Sequence, residues 1–166
     1  MSIQKATFAA GCFWGVEATY RQLKGVIKTR VGYSGGTLEH PSYEQVSTGR
    51  TGHAESLEIT FDSDLVSYET LVDIFFRMHD PTTKNRQGPD VGSQYRSVIF
   101  YHSLEQQQIA EAIKNQLQDS PKFKTKKIVT EIVEFHAFFA AEDYHQQYFE
   151  KFGFHPCVNF LKLPSK

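Results

Sequence analysis

Cysteine is scarce in this chain: there are two, Cys12 and Cys157, in 166 residues. That is too few for a disulfide-built secreted scaffold or a cysteine-rich zinc module. A charge excess is also lacking. The 18 Lys and Arg against 19 Asp and Glu give a formal net charge of -1, which argues against a nucleic-acid-binding surface. No apolar run approaches the ~20 residues of a membrane span. The start, Met1-Ser2-Ile3-Gln4-Lys5, carries neither the apolar core nor the cleavage site of a signal peptide. A cytoplasmic protein with reduced thiols is expected, and there a thiol serves catalysis or redox sensing rather than stapling. Repeats, low-complexity tracts and linkers are absent as well. What is present is a globular composition, 40% hydrophobic and 22% charged, with 14 Phe, 8 Tyr and one Trp. Residues 1–166 are expected to form a single domain, with about 153–166 as a C-terminal tail.

The hydrophobic pattern predicts a strand over 3–10, a turn at Gly11-Cys12, and a helix over 13–24 stopped by Gly25. A strand over 26–33 ends at Ser34-Gly35-Gly36, and a polar loop runs from 37 to 52. Residues 54–62 alternate, Leu57, Ile59 and Phe61 against Glu58, Thr60 and Asp62, as a half-buried strand does. Ser67 is placed to cap a helix over 68–79. After a second long polar loop, 80–96, a strand over 97–102 leads to the capping box Ser103–Gln106 and a helix over 104–118. Pro121 lies beyond it, a further strand covers 128–135, and a last helix spans 141–152 before Gly153. The expected class is α+β, a two-layer ferredoxin-like βαββαβ core with extra C-terminal elements. Two loops this long are usually functional.

Cys12 follows a strand and a glycine and opens a helix, where backbone N–H groups and the helix dipole favour a thiolate. A small buried core residue is the competing reading. Phe13 and Trp14 face different ways on the helix, so at least one is available to line an apolar pocket beside Cys12. Glu55 shares strand parity with Leu57, Ile59 and Phe61. An inward carboxyl is desolvated and kept protonated, as a general acid requires. His53 is the histidine to pair with Cys12 in a rival reading, a Cys/His hydrolase or acyltransferase. A second rival is a binding module using the aromatic surface. His53, His79 and His145 do not stand at zinc-motif spacing, so no metal is expected; His79 and His145 are expected on helices with structural hydrogen bonds.

Gly11-Cys12-Phe13-Trp14-Gly15 resembles the signature of the peptide methionine sulfoxide reductase A family. The likeness continues through Gly32-Tyr33-Ser34-Gly35-Gly36, Pro41-Ser42-Tyr43 and Thr51-Gly52-His53-Ala54-Glu55. It recurs in His79-Asp80-Pro81-Thr82, Asn85-Arg86-Gln87-Gly88, Asp90 with Gly92, Gln94-Tyr95-Arg96-Ser97, and the run Ala141 to Tyr148. These blocks keep their order over nearly the whole chain.

The resemblance implies reduction of methionine S-sulfoxide, free or in proteins. Cys12 would be the nucleophile, Glu55 the acid, and Tyr43 and Tyr95 hydrogen-bond donors to the sulfoxide oxygen. Phe13 and Trp14 would hold the S-methyl group, with Asp90 organising water or substrate. Cys157 would resolve the Cys12 sulfenic acid as a disulfide. Thioredoxin, or dithiothreitol in its place, would reset that bridge, with no other cofactor and with a monomeric enzyme. Around the resolving cysteine the family commonly has Gly-Tyr-Cys, whereas this chain has His155-Pro156-Cys157.

Overall fold

The computed structural model describes residues 2–152. Its element order begins β1 (Ile3–Ala10), α1 (Phe13–Arg21), β2 (Val26–Ser34), α2 (Tyr43–Ser47), β3 (Ala54–Asp62) and α3 (Tyr68–Met78). A small hairpin of β4 (Arg86–Gln87) and β5 (Asp90–Val91) precedes β6 (Ser97–Tyr101) and α4 (Leu104–Gln118). The last elements among the described residues are β7 (Glu131–Glu134), β8 (Phe138–Ala140) and α5 (Tyr148–Phe152). The architecture is mixed α/β, built on a six-stranded sheet in the order β7-β6-β1-β3-β2-β8. The β6–β7 pair is parallel and the other pairs are antiparallel.

Alternation along the strands separates two cores. Phe8, Val31, Leu57, Ile59, Phe61 and Ile99 pack with α1 and α3 in the main one. Ala9, Ala54, Val98 and Phe100 form a smaller cluster from the alternate positions. Strand β3 sits in the middle of the sheet, and this corrects the half-buried strand expected for 54–62. Glu58 and Asp62 are 7% and 8% exposed, because Lys5 from β1 and Arg30 from β2 reach over Glu58 and the Ser2 N–H donates to Asp62. Arg30, directly opposite Glu58 on β2, pairs with it at 2.9 Å.

The caps at Ser67 and Ser103 form, each accepting from the backbone N–H three residues on. The box at Ser103 is only half made. Gln106 reaches past it to accept from His102 N–H and to donate to the Lys5 carbonyl. Helix α1 ends at Arg21, short of the expected 24. The expected helix over 141–152 is largely absent: a 3-10 turn at Asp143–His145 and the short α5 replace it, and β8 precedes them. Its polar side chains are taken by other elements. The Gln146 carboxamide accepts from Val31 N–H and donates to the Val31 carbonyl, both at 2.9 Å. Gln147, with φ at 48°, turns its N–H onto Glu17 at 2.6 Å.

Candidate active site

Strand β1 delivers the chain to Gly11, whose φ of +93° suits glycine and whose missing side chain leaves room for Gln87. Cys12 follows as the N-cap of α1, partly exposed, without using its side chain to cap the helix. The first turn of α1 contains no acidic residue, so the dipole of the helix start is uncompensated at the sulfur. Phe13 N–H donates to Glu55 Oε1 at 3.2 Å, which ties the carboxyl to the residue beside Cys12. Glu55 lies on β3, 2% exposed, on the face expected from strand parity.

The two long loops bring their tyrosines to the same place. Tyr43 opens α2, a short helix within the stretch expected as a polar loop, where Ser42 and Gln45 form a full capping box. Burial, then Glu55, then Cys12 push the Tyr43 phenol up to about 12. Tyr95 ends the 3-10 turn after β5. Burial, followed by Glu55, Tyr43, Asp90 and Cys12, pushes its phenol well above the usual value. Both phenols are therefore neutral hydrogen-bond donors at physiological pH. The structure thus gathers Cys12, Glu55, Tyr43, Tyr95 and Asp90 into one electrostatic neighbourhood. Cys157 lies outside the described residues.

An aromatic wall stands beside this group. Phe13 is buried and stacks on Tyr43 with ring centres 6.5 Å apart. Trp14 is sandwiched from the C-terminal segment: Tyr148 stacks on it at 3.8 Å, and its Nε1–H donates to His145 Nδ1 at 2.9 Å. His145 is on a 3-10 turn rather than the expected helix. Its Nε2 is buried with no hydrogen-bond partner among the described residues.

Two carboxylates fix this wall, and neither was singled out from sequence. Glu142 accepts from the Tyr33 hydroxyl and from Tyr43 N–H, each at 3.0 Å. Burial works against its charge, but the Tyr43 N–H and the Tyr33 hydroxyl outweigh it and hold the carboxyl below its ordinary range. Glu17, 1% exposed on α1, accepts from the Thr29 hydroxyl and from both the backbone and side-chain amides of Gln147. The sequence signal was the run Ala141 to Tyr148, which marks where the C-terminal segment meets α1.

His53 is engaged elsewhere. Its Nε2 donates to the Leu38 carbonyl at 2.6 Å, and its Nδ1 accepts from Gly36 N–H at 3.1 Å. Neither nitrogen is left to take a proton from Cys12, as the hydrolase reading requires. Among the described residues, no group of three or more His, Cys, Asp and Glu could hold a metal ion.

Known proteins point the same way. The peptide methionine sulfoxide reductase family model matches residues 4–162. A peptide methionine sulfoxide reductase of Methanosarcina mazei is 62% identical over 152 residues, 92% of this chain and 72% of that protein. Mxr1 from Saccharomyces cerevisiae in reduced form aligns with a TM-score of 0.88 at 37% identity, over 97% of this chain and 93% of that one. The yeast protein in complex with Trx2 aligns at a TM-score of 0.66 and 27% identity, over 98% and 91% of the two chains. On this match, which runs through the thiol, the carboxyl and the tyrosines just described, the chain belongs to the peptide methionine sulfoxide reductase family of oxidoreductases.

Proposed function

We propose that the chain reduces methionine S-sulfoxide to methionine, with Cys12 as nucleophile and with Cys157 and an external dithiol protein completing the cycle. The observation that carries this reading is the buried Glu55 carboxyl, tied at 3.2 Å to the backbone N–H next to Cys12. The Cys12 thiolate attacks the sulfoxide sulfur. Glu55, in its protonated form, gives a proton to the oxygen. Tyr43 and Tyr95 donate hydrogen bonds to that oxygen as charge develops on it. The oxygen passes to the Cys12 sulfur, the substrate leaves as a thioether, and Cys12 becomes a sulfenic acid. Phe13 and Trp14 contact the S-methyl group, and Asp90 orders water or substrate beside Tyr95.

The Cys157 thiol then condenses with the sulfenic acid, releasing water and forming a Cys12–Cys157 disulfide. A dithiol protein of the thioredoxin type reduces that bridge by exchange. The yeast relative's complex with Trx2 supports this partner. Dependence on a reduced dithiol supports a cytoplasmic setting. The order β6-β1-β3-β2, with α1 following β1 and α3 following β3, supports a ferredoxin-like βαββαβ core within one reductase domain.

The test is a thiol count before and after methionine S-sulfoxide is added without reductant, with peptide mapping of any bridge. Loss of both thiols and a Cys12–Cys157 linkage are expected. Dithiothreitol-driven turnover retained in Cys12→Ser overturns the mechanism.

A further inference from the structure

The balanced net charge conceals a local imbalance. The segment 121–127 carries Lys122, Lys124, Lys126 and Lys127 and no acid, and all four are exposed. Just beyond it, Val129 N–H donates to the carbonyl of Pro81, in the loop that bears Asp90 and Tyr95, at 2.8 Å. Between the two runs a cleft of about 400 Å³. Lys84, Arg96, Lys114 and Lys127 line it against a single carboxylate, Glu131. That carboxylate is already engaged by Arg96 at 3.2 Å. Among the described residues, none of the lysines named here forms an ion pair.

The cleft adjoins the site. Its lining includes Ser97, which pairs with Ala10, two residues before Cys12. Neighbouring strands lie about 5 Å apart and a strand rises about 3.4 Å per residue, so Ser97 is on the order of 9 Å from Cys12. An extended peptide covers that gap in about two to four residues. At Tyr43 the sign is the opposite: Glu142 accepts from its backbone N–H and Glu44 follows it in the chain.

We propose that this cleft receives the acidic flank of an oxidised peptide, so that the enzyme favours methionine sulfoxides with Asp or Glu about two to four residues away. The proposal rests on the reductase reading and sets the substrate class for the same site. Unpaired cations beside a reaction centre raise the local concentration of anionic substrate, an effect that salt screens.

The test compares two peptides that each carry one methionine S-sulfoxide and differ only in acidic or lysine flanks. N-acetylmethionine S-sulfoxide N-methylamide, which carries no charge, serves as the reference, with dithiothreitol as reductant. The wild-type kcat/KM is expected to favour the acidic peptide by about tenfold at low ionic strength, and salt should collapse the preference. The double variant Lys84→Glu/Lys127→Glu should reverse it while keeping the rate on the N-acetyl substrate. Equal kcat/KM for the two peptides, or a preference that survives both salt and charge reversal, overturns the proposal. Loss of N-acetyl turnover in the wild type instead overturns the reductase reading. Should the double variant not fold, the salt dependence of the wild type and Lys127→Ala decide in the same way.

Discussion

His79 ties α3 to the sheet behind the site. Its Nδ1 lies 2.6 Å from the Phe75 carbonyl and its Nε2 lies 2.7 Å from Ser97 Oγ, which is itself 2.7 Å from Thr130 Oγ1. A carbonyl only accepts, so the neutral ring holds its proton on Nδ1, and Nε2 accepts from Ser97. Burial lowers the imidazole from its ordinary 6.5 to about 4, the Phe75 carbonyl and Asp80 opposing it only in part. Between those values the unfolded chain binds a proton that the folded chain refuses, so stability rises with pH across that window. The full contribution is present above 6.5 and is lost as pH falls to about 4. At about 1.36 kcal/mol per decade, the contribution is about 3 kcal/mol. Urea unfolding of the wild type and of His79→Gln, measured from about pH 4 to about pH 7, isolates it. The wild type should lose about 3 kcal/mol more than the variant over that range. His102 and His145, also held low by burial, remain in both proteins and cancel in the difference. Parallel pH profiles for the two proteins refute the reasoning.

Glu55→Gln keeps the shape but loses the proton, so single-turnover methionine formation should slow by about 10²–10⁴-fold; an unchanged rate removes Glu55 as the acid. Cys157→Ser should form one equivalent of methionine and then stall with thioredoxin as reductant, and normal cycling by that variant excludes Cys157 as the resolving thiol. Glu17→Ala strands the Thr29 hydroxyl and both Gln147 amides. A loss of about 3 kcal/mol in denaturant unfolding is expected, and unchanged stability contradicts the clamp.

Local chemistry was the legible part of the sequence. Ser67 and Ser103 mark helix starts because a cap is a contact between near neighbours. The inward direction of Glu55 follows from strand parity alone. What failed depends on partners distant in sequence. Alternation over 54–62 cannot reveal that Lys5 and Arg30 of the neighbouring strands reach over Glu58, so its burial is not legible there. The apolar spacing of 141–152 resembles a helix, yet Glu142, Gln146 and Gln147 spend their hydrogen bonds on Tyr43, Val31 and Glu17. Helix α2 was readable, since Ser42 and Gln45 stand at capping-box spacing, but a polar, glycine-punctuated stretch hid it. The grouping of Cys12, Glu55, Tyr43 and Tyr95 could enter only through family likeness, because four separate elements supply it.

The Gln146 carboxamide has a consequence beyond local packing. Strand β8 covers β2 only at Gly32, Tyr33 and Ser34. At the next rung, Val31, the edge is closed by a side chain that imitates a peptide group, accepting from the N–H and donating to the carbonyl. An open rung there would be a template for any extended chain that touched it. A repair enzyme for oxidised methionine meets damaged, partly unfolded clients with such chains exposed. At that rung the glutamine occupies the hydrogen-bonding groups such a chain would need.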